Sequence, residues 1–314
     1  MFTTTVTGFA QDRALRKRQE KAFTRPSNDI SGKPPAEETR NYTLEAVRTQ
    51  RALGLDVPDI ARSDYPDEIG AMALTLAGFE LDLTAGGMSR HSITNTYISK
   101  PSASGAVRFH GDITSNVPDN GTKLKTSLPG IYTLASRSMD PHSKNFDALL
   151  EGLVPAYADA LSKLQTQYVQ FNEYELLRNP TIENINRVKN VYRKLNFSGK
   201  KILAFYFGDI QPIVEHLDEL PVEIIHLDVF HGGNTDQLLH HAPRTKEIIL
   251  GLLDTVQYRS DDEASVVRTA KKFAEKIDPR KLWLSTNGDL VYRGRSFSES
   301  KINMLVRIAH KLRS

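Results

Sequence analysis

VEIIHLDVFHGGN, residues 222–234, carries the pattern that decides the fold: an apolar run that stops in a polar cluster, Asp228 to Asn234. The same pattern recurs on both sides. YVQFNE (168–173) stops at Asn172-Glu173, and ILAFYFGD (202–209) stops at Gly208-Asp209. EIILGLLD (247–254) stops at Asp254, and KLWLSTNGD (281–289) stops at Asn287 to Asp289. Buried strands that each finish in Asp, Asn, Glu or His, with helical segments between them, describe a parallel barrel whose site is built from its strand ends.

Further strands complete the count. FTTTVTG (2–8) is β-branched and predicts strand one. LDVPDIA (55–61) predicts strand two, weakened by Pro58, and LKTSLPG (124–130) predicts strand three. Helical spacing covers 12–23, 36–53, 67–76, 145–165, 182–195, 213–217, 235–241, 261–276 and 298–312. The stretch around residues 80–125 breaks this rhythm. Its alternating runs SITNTYI and GAVRFHGDI, set between Ser, Pro and Gly, predict a β-hairpin insertion. The expected fold is α/β: a single (β/α)8 TIM barrel over residues 1–314 with that insertion.

Composition narrows the function. With 41 basic and 38 acidic residues the net charge is +3, so no nucleic-acid partner is expected, and RALRKRQEK (13–21) reads as a solvated helix face. No stretch approaches the roughly 18 apolar residues of a membrane span, and no signal peptide is evident. The expectation is therefore a cytoplasmic protein acting on a small molecule, with a homo-oligomer left open. The chain has no cysteine, which excludes disulfides, thiolate metal ligands and cysteine nucleophiles together.

Each strand-end cluster has a chemical and a structural reading. In His226-x-Asp228-x-x-His231, alternation points His226 and Asp228 the same way; the group could form an acid–base pair or hold a metal, or His226 could be a barrel-layer residue. Gly232-Gly233-Asn234 could offer amides to an anion or be a turn with an N-cap. Asp209 could be a general base or a helix cap. Asn172 and Glu173 stand at a barrel mouth, where carboxylates and amides usually meet substrate. Asn287-Gly288-Asp289 is a turn or a pocket edge. Arg62 could hold a carboxylate or pair with Asp64 or Asp67. His110, on the hairpin, is a lid residue or a surface one, and His240-His241 reads as a helix C-terminus.

Several segments, taken in order, resemble the C-terminal barrel of the cobalamin-independent methionine synthase family. These are TTTVTGFAQDRALR (3–16), LKTSLPGIYTLASRSMD (124–140), YVQFNEYEL (168–176), ILAFYFGD, ILGLLDTVQYRSDDEASVVRTAKK (249–272) and LWLSTNGDLVYR (282–293). The resemblance implies substrate-binding positions at Gly8, Asp59, Arg62, Thr133, Asn172, Asn287 and Asp289. It implies catalytic positions at Glu173, Asp209 and Asp228, to which the strand-end cluster adds His231. The family's Asp that grips the substrate amine falls on Asn172, which removes a charge.

The same resemblance implies a zinc site of one His, two Cys and one Glu. Those positions fall on Ala204, Tyr206, Gly288 and Asp228, so zinc is not expected here. The resulting expectation is a zinc-independent methyl-transfer enzyme using 5-methyltetrahydrofolate or another reduced folate and a small polar acceptor. Two alternatives stand beside it: a metal-free decarboxylase or lyase of the uroporphyrinogen decarboxylase type, and a non-catalytic ligand-binding pseudoenzyme.

Overall fold

A computed structural model describes residues 1–10, 36–60, 67–81, 88–90, 97–111, 117, 123–230, 234–243, 245–257, 260–291 and 293–313. In chain order the elements begin with β1 (Phe2–Thr3), α1 (Ala36–Ala52), β2 (Asp59–Ile60) and α2 (Glu68–Ala73). Four short strands follow: β3 (Leu76–Glu80), β4 (Met88–Arg90), β5 (Tyr97–Ser99) and β6 (Ser102–Phe109). Next come β7 (Lys125–Pro129), α3 (Ile131–Ser138), α4 (Phe146–Ser162), β8 (Tyr168–Asn172), α5 (Ile182–Arg193) and β9 (Lys200–Phe205). The last are β10 (Ile224–Asp228), α6 (Asn234–His241), β11 (Glu247–Leu253), α7 (Glu263–Ala274), β12 (Leu282–Thr286) and α8 (Arg295–Arg313). Single 3-10 turns lie at Tyr174–Arg178 and Val214–Glu219.

Among the described residues, eight strands make one curled parallel sheet in the order β1-β12-β11-β10-β9-β8-β7-β2. Its two edges touch through a parallel bridge, Thr4 to Val57, with Val57 N donating to Thr3 O at 3.0 Å. Strands β8, β10 and β12 are buried along their whole length, which is why they read as apolar runs without alternation. Leu128, Phe171, Leu203, Phe205, Ile225 and Leu227 face outward into the packing with the helices. Inside the curl, Val57, Tyr168, Ile202, Ile224, Ile249 and Trp283 form an apolar plug at the strands' N-terminal end. Above the plug the interior turns polar.

The expected strands four to eight stand where their sequences place them. Strand one is shorter than the expected Phe2–Gly8: the Lys125 ammonium takes the carbonyls of Thr5 and Val6 at 2.6 Å each, so a neighbouring strand cannot pair with them. Helix α3 was not foreseen; it fills the connection after β7. The expected helix at 12–23 lies outside the described residues.

The insertion begins earlier than expected, at Leu76. It is two antiparallel pairs, β3 with β6 and β4 with β5. Strand β6 lies against α4, where Lys163 Nζ sits 4.4 Å from the Phe109 ring centroid, and the adjoining His110 is exposed. Among the described residues no helix is long and apolar enough to cross a membrane.

Candidate active site

The polar interior starts from a fully buried ion pair, Lys125 Nζ to Asp59 at 3.2 Å. Asp59 is fixed from several sides. Its backbone exchanges hydrogen bonds with the Gln50 amide at 3.0 Å each way, its Oδ1 accepts from Gly8 N at 3.1 Å, and its Oδ2 accepts from the Ser127 hydroxyl. Gly8 can offer that amide because its φ is +65°, a conformation glycine adopts without strain. Burial lowers the proton affinity of Lys125 and the Asp59 carboxylate raises it again.

From this pair a directed chain of hydrogen bonds runs to the sheet's C-terminal end. Lys125 Nζ donates to Gln170 Oε1 at 2.7 Å, and Gln170 Nε2 donates to Asn172 Oδ1 at 2.8 Å. Asn172 Nδ2 then donates to Glu68 Oε2 at 2.5 Å. Every amide points the same way, so the dipoles of the chain are aligned and strengthen one another. Glu68 is the first residue of α2, placed there by Asp67, whose side chain caps Gly70 N at 3.0 Å. Glu68 is half-buried, and its carboxyl pKa is pushed up to about 8. Desolvation is the main cause, the Asn172 hydrogen bond opposes it, and the charges of Asp289, Asp67 and Asp59 add to it.

Glu173, next to Asn172, turns another way. Its carboxylate accepts from Tyr132 N at 3.0 Å, Thr133 N at 2.8 Å and the Tyr192 hydroxyl at 2.7 Å. It therefore sits on the N-terminus of α3, where two of that helix's unpaired amides would otherwise be buried. Gly130 leaves the room, since a Cβ there would come within 2.0 Å of Glu173 Cδ. Burial raises the Glu173 pKa, while the Tyr192 and Thr133 donors pull it down. Thr133 also accepts from Glu175 N at 3.3 Å.

A third group lies at the ends of β9, β10 and β12. Asp228 is fully buried and accepts from Phe207 N at 3.2 Å and Phe230 N at 2.9 Å. Asn287 Oδ1 accepts from Thr255 N at 2.9 Å and the Thr255 hydroxyl at 3.2 Å, while its buried Nδ2 has no partner among the described residues. Asp209 is exposed and bonded to Gln211 N at 2.9 Å in a local turn. His226 is a layer residue: its Nε2 meets Thr286 O at 3.1 Å, and burial, helped by the Lys125 charge, drops its pKa to about 3. At neutral pH the ring is uncharged, so Nε2 carries the hydrogen and donates it. His231 and Arg62 lie outside the described residues.

The positions that the family resemblance assigns to zinc do not fit a zinc ion. Ala204 and Tyr206 pack with Val6, Tyr174 and the Phe207 ring, and Tyr206 lies 5.0 Å from Phe207 centroid to centroid. Gly288 faces the same ring: a side chain there would meet Phe207 Cζ at 2.3 Å. The remaining position, Asp228, already serves two backbone amides. Among the described residues no group of three or more His, Cys, Asp and Glu could hold a metal.

The structure thus gathers Gly8, Asp59 and Asn172 into one network, whose Glu68 end feels the Asp289 charge. It sets Glu173 with Thr133 apart, and Asp228 with Asn287 apart again. The sequence reading missed Glu68, Lys125, Gln170 and Ser127. A lysine inside the otherwise buried run LKTSLPG was the available signal, because a buried ammonium requires a partner.

Comparison with known proteins places this geometry. The family model described as "Cobalamin-independent synthase, N-terminal domain" matches residues 108–278. The sequence motifs pointed to the same family, there through its C-terminal barrel. Among curated relatives, the 5-methyltetrahydropteroyltriglutamate–homocysteine methyltransferase of Histophilus somni (strain 2336) is 30% identical over 149 residues, covering 46% of this chain and 19% of that protein. The enzyme of the same name from Neisseria gonorrhoeae (strain ATCC 700825 / FA 1090) is 28% identical over 178 residues, covering 55% and 23%. The chain therefore spans about a fifth of the length of these relatives.

Among solved structures, a B12-independent methionine synthase from Shewanella sp. W3-18-1 in complex with selenomethionine superposes with a TM-score of 0.76 at 14% identity, covering 99% of this chain and 97% of that one. A putative vitamin-B12-independent methionine synthase from Listeria monocytogenes gives 0.72, also at 14% identity, over 98% and 96%. At these identities the likeness is one of fold.

Proposed function

This chain belongs to the cobalamin-independent synthase family by its match to the N-terminal-domain model, and on that premise we propose that it is a methyl-transfer enzyme of methionine-synthase type. The donor in this reading is a reduced folate such as 5-methyltetrahydrofolate, the acceptor is a small polar molecule, and no zinc takes part. The observation that carries the reading is the buried chain from Asp59 and Lys125 through Gln170 and Asn172 to Glu68, which brings a carboxyl group with high proton affinity to the strands' C-terminal ends. Barrel enzymes work at that face. We read the Thr4–Val57 bridge as the seam of a closed (β/α)8 ring that forms one domain.

Roles follow from surroundings. Gly8, Asp59, Asn172 and Asp289 shape the substrate side. Glu173 and Thr133 are positioning residues that fix α3 beside it. Asp228 and Asn287 hold the loops after β9, β10 and β11, and Asp209 stands at the rim. His231 and Arg62 are retained as candidate contacts on sequence grounds. Activation of the acceptor falls to carboxyl chemistry, because the side chains at the zinc positions offer no set of donors for that ion.

The test is transfer of the methyl group from 5-methyltetrahydrofolate to homocysteine and to a panel of small thiols and amines, run with and without a chelator. Turnover that survives the chelator, with a thermal shift produced by the folate, supports the reading. Absence of both product and shift overturns the folate reading. Stoichiometric zinc in the purified protein, with activity lost on its removal, overturns the zinc-independent part alone.

A further inference from the structure

We propose that Glu68 is the proton shuttle of this site, touching the substrate through Oε1 while Asn172, Gln170 and Lys125 hold Oε2. The inference rests on the methyl-transfer reading above. Its ground is the asymmetry of one carboxyl group. Oε2 is the last acceptor of a hydrogen-bond chain that starts at a buried ammonium, and it is locked at 2.5 Å from Asn172 Nδ2. Among the described residues Oε1 has no hydrogen-bond partner, and the side chain is only half-buried at the C-terminal end of the sheet. A carboxyl group held by one oxygen and open at the other can give up a proton and take one back without moving.

The charged and titratable groups around Glu68 suit that use. Asp67 stands beside it on α2, Asp59 on β2 and Asp289 after β12, and the phenols of Tyr157 and Tyr174 face it from α4 and the turn after β8. The three carboxyl groups favour the neutral form of Glu68, the Asn172 amide opposes them, and the two phenols stay uncharged at neutral pH. The proton is therefore still in place at neutral pH, where a leaving group needs it.

The step balances as follows. The bond between the donor's nitrogen and the methyl carbon breaks, and its electron pair stays on nitrogen, which takes the proton from Glu68 Oε1. The acceptor's lone pair forms the new bond to the methyl carbon. The proton the acceptor then sheds returns to the Glu68 carboxylate. Donor loses methyl and gains hydrogen, acceptor does the reverse, and Glu68 ends as it began.

The experiment labels the whole chain with carboxyl-13C glutamate and follows every side-chain signal against pH by NMR, alongside steady-state methyl transfer. One glutamate signal should titrate near 8 and disappear in Glu68→Gln. In Asn172→Ala its midpoint should rise, because the donor that favours the charged form is gone. Glu68→Gln should lower kcat by about 100-fold or more with KM little changed, and abolish the fall in rate above the Glu68 midpoint; Glu68→Asp should restore part of the loss. A wild type that transfers methyl groups but has no such signal, or a Glu68→Gln variant within about threefold of wild-type kcat, overturns the shuttle and leaves the transfer reading standing. A well-folded wild type that transfers no methyl group overturns the transfer reading and the shuttle with it.

Discussion

Glu173 and Glu68 stand at the same end of the sheet, and each departs upward from ordinary carboxyl proton affinity because burial disfavours its charge. They differ in what answers that burial. Glu173 meets three donors, two of them amides of one helix N-terminus, and both of its oxygens are engaged. Glu68 meets one donor, on one oxygen, and faces three carboxyl groups. A carboxylate whose acceptors are all filled is part of the framework, whereas one left half-filled keeps its proton and a face to use. Sequence alone singles out Glu173, beside a strand end, and passes over Glu68, at a helix start.

The contrast can be broken most severely from beneath. Lys125→Met leaves Asp59 as an uncompensated buried charge and removes the first donor of the chain to Glu68. A loss of about 3–5 kcal/mol in denaturant unfolding is expected. Next comes Glu173→Gln, which turns an amide NH2 toward donors that need acceptors. We expect a loss of about 2–4 kcal/mol, from hydrogen bonds to a charged group, read as a lower unfolding midpoint with an unchanged slope. Gly130→Ala strikes the same carboxylate sterically and should cost about 1–3 kcal/mol. If Gly130→Ala is neutral, the tight seat of Glu173 is refuted.

The last expected effect sharpens the contrast instead, because it is read as a slope against pH. Glu68 has a folded-state pKa of about 8, above its ordinary value of 4.5, so the folded state holds the proton that the unfolded chain releases. Its stabilisation is complete below the unfolded value and is lost as pH rises through the folded one. Wild-type stability should therefore decline between about pH 5 and 8, and Glu68→Gln, which mimics the neutral carboxyl, should flatten that decline while matching wild type at pH 5. Thermal melts across that range read it directly. A decline that persists undiminished in the variant assigns it to another group.

Strands four to eight were legible because burial on both faces leaves long apolar runs, and their ends were legible because polar residues cluster there. Strand one was misjudged in length, since its β-branched run says nothing of a lysine far along the chain that takes its carbonyls. Helix α3 was hidden because what anchors its N-terminus is Glu173, a strand-end residue some 40 positions away. The site was legible where one residue stood at one strand end, as with Asn172 and Asp59. It was illegible where partners meet across long separations: Asn172 and Glu68 are 104 positions apart, and no local spacing links them. Asn172 seemed to lose a charge relative to the family, yet the fold supplies a carboxyl group to the same amide from a different element.

The chain's one tryptophan, Trp283, is fully buried in the plug at the opposite end from Glu68, its ring tilted against Phe2 at 5.0 Å and edge to face with Tyr168 at 5.2 Å, with its indole N–H on Glu247. The molecule therefore carries its own optical gauge, fixed where β12 pairs with β1. Emission from Trp283 reports on the packing of that plug, at the far end from the polar site. A ligand that shifts the Glu68 titration without changing tryptophan emission acts locally, and one that changes both has reached the plug.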